Sequence, residues 1–356
     1  MTETMVRLER TADIDVRFAA PDDADKIAEL YNRVYDGRYP ILDCVDPQRI
    51  RHLLASGEHI WVIGLDNGVV VGSGVLQAEQ PNSAYEMGRA VVLRQYCSRG
   101  HFQRISGHMW MAARDRMGCD LIYGYARSER SRMLFSHVSD QHGLPVAWVG
   151  TDGGMHPNGE MREEHLIGLT FFPQRNTVRV VPPHPFLDPD TPLAKHIARL
   201  SVVSVQGAYP CAIAAGWGAE FTHVSPYGRV SYSLFRPSRA AIVTGVTADT
   251  ADDVRRALWD VIDRANRPGW PARILHMTVH LLADKTEVIA SLCDRGRDGA
   301  GRRFTVNGYL PAWYKDGDAR YDCVVLTTRV DDLPRNLLGA EKTADEIYRS
   351  LPANLR

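Results

Sequence analysis

Residues 59–76, HIWVIGLDNGVVVGSGVL, are two β-rich runs on either side of Asn67-Gly68. That dipeptide tolerates positive φ at both centres of a two-residue turn, whose twist matches the strands it joins. An antiparallel hairpin is therefore set early in the chain, and its neighbours must build on a sheet. Upstream, Ile27, Leu30, Tyr31 and Val34 recur at helical spacing within 22–35, opened by the capping residues Asp22 and Asp23. A second short helix carries Ile50, Leu53 and Leu54 and stops at Gly57. Downstream, a strand over 85–93 enters a turn at Gly100, and a helix follows with Phe102, Ile105, Met109 and Ala113 on one stripe. A strand over 120–126, a helix over 128–138 and the strands PVAWVG and HLIGLTFF complete an α/β unit with a mostly antiparallel start.

Residues 173–192 include VVPPHPFLDPDTP, too rich in proline for a core helix or central strand, and read as a linker. A second unit is predicted from Leu193. It holds a helix over 250–266 with Val254, Leu258, Val261 and Ile262 on one face, the strand ARILHMTVHLL, a helix over 284–293, and the strands RRFTVNGYL and YDCVVLTTRV. The order helix, strand, helix, strand, strand repeats that of the first unit, which we read as an internal duplication. The expected domains are 13–172, the linker 173–192, a second unit over 193–335 and a helical tail over 336–356.

Lys plus Arg is 42 and Asp plus Glu is 43, so the chain announces no polyanionic partner, and nucleic acid is not expected. The polar opening MTETMVRLERTAD has no apolar signal core, and no segment approaches the roughly 20 apolar residues of a membrane span. Six cysteines without a C-x-x-C pair fit reduced thiols in a cytoplasmic protein. His276 and His280 lie four apart on a predicted strand, compatible with a metal pair, but no third ligand is evident and no metal is expected.

The chemistry points to YEMGRAVVLRQYCSRGHFQR, residues 85–104. A strand, a glycine turn and a helix start bring several unpaired backbone N–H groups and the positive end of a helix dipole to one spot, where phosphate binds. Arg94, Arg99, His101 and Arg104 crowd the same turn. The matching turn of the second unit, TGVTADTADDVRRA, sets Asp249, Asp252 and Asp253 at a helix N-terminus instead. Carboxylates there cap the helix and repel a diphosphate.

The frame Cys97, Gly100, Phe102 resembles the Gln/Arg-x-x-Gly-x-Gly/Ala motif of the GNAT acyltransferase superfamily, with cysteine and phenylalanine departing from two of its three positions. SRGHFQRI is more similar to the loop of GNAT modules fused to anti-sigma-factor-like ATPases. IAELYNRVYDGRYPILDCVDPQRI, AYEMGRAVV, EEHLIGLTFF and RFTVNGYLPAWYKDGDARYDCVVL also resemble that subgroup, so the likeness spans about residues 13–330. It implies two tandem GNAT-like domains of α/β (α+β) class, with mixed, mostly antiparallel sheets flanked by helices. Only the first would hold acetyl-CoA or another acyl-CoA. The second would be degenerate.

The implied activity is acyl transfer, in a ternary complex, to a small amine or other nitrogen nucleophile in biosynthetic metabolism. Val91, Val92, Ser98, Arg99, Gly100, His101, Phe102 and Gln103 are the expected cofactor contacts, with N–H groups near Val92 polarising the thioester carbonyl. Glu86, on the strand leading to the loop, is the expected general base, against the plainer reading of a strand carboxylate paired with Arg89. Phe135 stands near the place where related enzymes carry an acidic tyrosine; Ser131, Ser136 and His137 are the substitutes on the same helix. Tyr31, Tyr35 and Tyr39 border the expected acceptor cleft, although tyrosines on one side of a helix more often pack in the core. Two other readings stay open: a binding or sensory protein that kept the fold without activity, and a tandem aminoacyltransferase using charged tRNA, which the near-zero net charge disfavours.

Overall fold

The computed structural model describes residues 14–57, 59–79, 82–97, 99–115, 118–153, 162–172, 177–200, 202–216, 218–270, 273–294, 302–330 and 335–355. Ser98 and most of the loop TDGGMHPNG lie outside these. The chain forms a mixed α/β fold and divides into two compact units: residues 1–78, 84–122 and 137–143, and residues 79–83, 123–136 and 144–356. These borders differ from the 172/193 divide expected from the proline-rich stretch.

The first unit contains β1 (Asp15–Phe18), α1 (Ala24–Tyr35), α2 (Pro47–Ser56), β2 (His59–Asp66), β3 (Val69–Glu79), β4 (Ala84–Val92) and α3 (His101–Asp115). Its strands lie in the order β1-β2-β3-β4. The β2/β3 hairpin turns through Asn67 (φ 49°) and Gly68 (φ 81°), the doubly positive turn its sequence predicts. Asp46 caps α2 by accepting from the N–H of Gln48 at 2.8 Å, Pro47 opens it, and Gly57 at φ 75° ends it. One face of the sheet buries Trp61 and Ile63 against Ile27, Leu30, Tyr31 and Ile50 of the first two helices. The other face is floored by glycines. A Cβ on Gly72 would lie 2.8 Å from Ile105 Cδ1, and one on Gly74 2.5 Å from Met109 Sδ, so α3 approaches because those side chains are missing.

β5 (Leu121–Ala126) and α4 (Glu129–Gln141) have residues in both units. The second unit continues with β6 (Ala147–Gly153), β7 (Arg162–Phe171), β8 (Val178–Val181), α5 (Pro192–Ala198), β9 (Val203–Gln206), β10 (Phe221–Ser225), β11 (Gly228–Phe235) and β12 (Ala240–Thr247). It ends with α6 (Ala251–Ala265), β13 (His276–Leu282), α7 (Thr286–Cys293), β14 (Thr305–Asp316), β15 (Ala319–Arg329), the two-residue β16 (Arg335–Asn336) and α8 (Glu341–Ser350). Its strands run in the order β7-β6-β14-β15-β13-β12-β11-β10. β6 joins β14 at Gly150 opposite Gly308, where a Cβ on Gly308 would fall 2.5 Å from Gly150 Cα. Val254, Leu258, Val261 and Ile262 are buried on α6, the face expected from their spacing.

The proline-rich stretch is not wholly a linker. β8 pairs in parallel with both β15 and β9. Arg179 of β8 donates two hydrogen bonds, of 2.7 and 2.6 Å, to the fully buried Asp322 of β15. Asp322 also accepts from Tyr309 Oη and, at 2.8 Å, from Ala312 N–H. A buried carboxylate needs such partners, and they fasten the strand to the β14/β15 hairpin.

Candidate active site

β4 is continuous but kinked at Arg89, whose φ of 53° is unusual for a residue with a side chain. The hydroxyl of Tyr31, on α1, donates to the Arg89 carbonyl and holds this kink. Just past the strand, Leu93 N–H donates to Val71 O at 2.9 Å. Groups alternate along a strand, so the N–H and C=O of Val92 face the opposite edge. Cys97 Sγ turns back toward Val92 O at 3.8 Å and Leu93 O at 3.6 Å. The thiol stays exposed at this turn and brings no positive charge to it.

Gly100 has φ 76°, and a Cβ there would meet only Gln103 Oε1, at 3.9 Å. The first turn of α3 closes with Arg104 N–H on Gly100 O at 3.2 Å, so the N–H groups of His101, Phe102 and Gln103 precede the helical ladder. Arg94, Arg99 and Arg104 are exposed around this turn. His101 is different. It is 3% exposed and its ring lies tilted, 5.7 Å from that of Tyr96, whose hydroxyl donates to Asp66 at 2.6 Å. Burial, with Arg104 and Arg99 nearby, pushes the imidazole pKa down, so its side chain adds no charge and only its N–H faces the turn. Val91 is buried, and Phe102 and Gln103 are partly buried.

Glu86 lies on β4 before the kink, and its Oε1 stands 3.0 Å from where a Cβ of Gly88 would be, so the carboxylate lies along the strand toward residue 88. Arg89 feels its field, and the guanidinium donates through Nη2 to Gln77 Oε1. Tyr31 is fully buried with its hydroxyl engaged on the backbone, which makes it a core residue that shapes β4. The Tyr39 ring lies tilted against those of Tyr31, at 5.1 Å, and Tyr35, at 4.5 Å, and both Tyr35 and Tyr39 are partly buried. Burial raises the pKa of Tyr39 and, with Cys44 beside it, that of Tyr31. Sequence reading missed Cys44, His59 and Gln77, which fold brings around Arg89; nothing local in the sequence marks them.

On α4 the substitute acids have local partners. Ser136 Oγ accepts from Trp148 Nε1 at 3.0 Å, His137 lies 3.0 Å from Gln141 Nε2, and Ser131 bonds Ser128 at 3.0 Å. Phe135 meets Trp148 edge-on at 5.9 Å. On β13, His276 contacts Thr278 Oγ1 at 3.0 Å and Asp152 at 3.5 Å, while His280 meets Trp313 edge-on at 5.4 Å. Among the described residues no group of three potential ligands could hold a metal.

The second unit has a strand-to-helix passage of the same kind, with a different interior. β12 carries an extra residue at the register shift between Ser231 and Tyr232, and it pairs with β13 only over Ala240–Val243. Where the two part, the chain's own residues 213–215 enter: Ile213 O accepts from Leu282 N–H at 3.0 Å, and Ala215 N–H donates to His280 O at 2.7 Å. A Cβ on Gly216 would sit 2.5 Å from Thr244 Cα. The start of α6 is already capped, Thr250 Oγ1 accepting from Asp253 N–H at 3.1 Å and donating to its carboxylate at 2.7 Å.

No helix among the described residues is long and apolar enough to cross a membrane. No protein-family profile and no curated protein matches the chain. Solved structures do. A GNAT-family acetyltransferase from Streptococcus pneumoniae is 15% identical, covering 45% of this chain and 100% of its own, with TM-score 0.38. A putative acetyltransferase from Salmonella typhimurium, solved with its cofactor acetyl-CoA, is 16% identical over 45% and 94%, with TM-score 0.37. An N-acetyltransferase from Thermoplasma acidophilum in complex with coenzyme A is 11% identical over 45% and 100%, with TM-score 0.32.

Proposed function

We propose that the chain is a cytoplasmic, GNAT-type N-acyltransferase that transfers an acyl group, most simply acetyl, from acyl-CoA to a nitrogen of a small molecule. The observation that carries this reading is the run from the kinked strand β4 through Gly100 into α3. It gathers three N–H groups outside the helical ladder, the helix dipole and three exposed arginines around a glycine at φ 76°. These groups fit a diphosphate. Gly100 and the N–H groups of His101, Phe102 and Gln103 would hold it, with Arg99 adding charge.

Bound there, acyl-CoA supplies an activated acyl group whose C–S bond breaks as the C–N bond to the acceptor forms. Glu86 takes the proton that the attacking nitrogen loses and releases it to solvent. The N–H of Val92, facing away from β3, donates to the carbonyl oxygen that gains charge. With the hydroxyls of α4 engaged locally, the thiolate leaves unassisted and is protonated by water, which a thiol pKa of about 8.5 permits. Residues 193–335 are read as a second, degenerate copy, its slot filled by residues 213–216 and its helix start closed by Thr250 and Asp253.

Glu86→Gln tests the assignment. Acetyl-CoA affinity should be retained, while turnover, followed by thiol release across an amine panel, falls by about 10²–10⁴. Unchanged turnover would remove Glu86 from the mechanism. Phe135 packed on Trp148 favours a second reading, a binding protein without turnover. Acetyl-CoA binding with no thiol release from any amine would select it.

A further inference from the structure

Around the kink of β4 lies a set of buried polar groups that the acyl-transfer steps leave unused. Arg89 donates through Nη2 to Gln77, while its Nη1 is sealed from solvent without a hydrogen-bond partner. His59, opposite Gln77 in the β2/β3 ladder, is 7% exposed and stacks on Trp61 at 5.5 Å, and neither ring nitrogen is hydrogen-bonded. Cys44, Tyr31 and Tyr39 bring no negative charge. Burial holds the Cys44 thiol up at about 12 and raises the Tyr31 and Tyr39 hydroxyls, so all three are neutral at pH 7. Glu86 is the carboxylate that Arg89 feels, and Asp43, engaged with Arg49 at 2.6 Å, is felt at His59 and Cys44.

A guanidinium nitrogen shut away from water and left unpaired is unfavourable unless another group completes its bonding. Neutral His59 supplies one further N–H and the Tyr39 hydroxyl another, a donor-rich setting that suits an anion with two oxygens. Arg89 and Tyr39 are partly exposed, and Tyr39 sits on the loop after α1 that turns through Asp36 (φ 51°) and Gly37 (φ 70°), so the cluster borders solvent at these two side chains, with Arg89 Nη1 and the His59 ring beneath them.

We propose that this cluster receives the carboxylate of the acceptor, and that the acceptor is therefore an amino acid. Arg89 Nη1 binds the carboxylate, His59 and Tyr39 complete its shell, and the amine is directed to Glu86, three residues earlier on the same strand. The inference rests on the reading of the first unit as an acyltransferase. It names the acceptor class, while the binding it predicts requires no acyl donor.

The test is calorimetry on the full chain without acyl-CoA, using the proteinogenic amino acids, β-alanine and 4-aminobutyrate, each beside its own carboxamide. At least one acid should bind about tenfold or more tightly than its amide. Arg89→Gln should abolish that preference, Arg89→Lys should keep part of it, and acetyl-CoA affinity should be unchanged in both. Should Arg89→Gln fail to fold, His59→Gln, which removes no charge, should still weaken the acid severalfold against its amide. Absence of binding by every acid, equal binding of acids and amides, or a preference that survives Arg89→Gln or His59→Gln would overturn the proposal. An acid preference in a wild-type chain that does not bind acetyl-CoA would uphold the pocket and reject the acyltransferase reading.

Discussion

Tyr31→Phe removes one oxygen from a buried ring and isolates the contact that holds the kink of β4. The ring itself stays packed among Ile27, Leu30 and Trp61, so no cavity term enters. What is lost is the hydrogen bond to the Arg89 carbonyl, whose net value is about 0.5–1.5 kcal/mol. A carbonyl left without a partner in this setting adds its desolvation cost, bringing the total to about 1–3 kcal/mol. The kink has its own cost of about 1–2 kcal/mol, because Arg89 adopts the left-handed region, so the strand has a standing tendency to straighten once the hydroxyl is gone. Urea denaturation followed by far-UV circular dichroism reads the loss directly, with the m-value expected unchanged. A loss below about 0.5 kcal/mol would refute the view that this hydroxyl maintains the kink.

Gly72→Ala should destabilise by about 1–3 kcal/mol, since the new methyl meets Ile105 Cδ1 at 2.8 Å and the Val91 carbonyl at 3.3 Å; an unchanged denaturation midpoint would show that α3 does not rest on these glycines. Burial holds His59 and His280 down at about 4, so the folded chain binds fewer protons than the unfolded one between pH 6.5 and 4. Stability should therefore be full above pH 6.5, fall as pH drops through that window, and stop falling from this cause below about 4. His280→Gln should give a shallower fall over the same range in pH-dependent urea titrations, and parallel slopes would contradict the assignment.

Elements set by local chemistry were legible before the fold was seen. The Asn67-Gly68 turn needs only its own two residues, and α1, α2 and α6 declare themselves through spacing and stops such as Gly57. Elements held by distant partners were not. Val178–Val181 sits among prolines and reads as linker, and it is a strand because Arg179 meets Asp322 far along the chain. The strands over 221–247 alternate, but over short, half-exposed runs, and take their form from one another. The inner stripe of α3 shows a subtler miss: it starts at His101, one residue before Phe102, which turns an expected surface cation into a buried neutral ring. The positive φ of Arg89 has no sequence signature at all, so the polar cluster around it became visible only with the fold.

The direct test of the central claim is a crystal of the full chain grown or soaked with coenzyme A. Diphosphate density is expected against the N–H groups of His101, Phe102 and Gln103 beside Gly100. Coenzyme bound elsewhere on the chain, or that turn closed to it, would contradict the account.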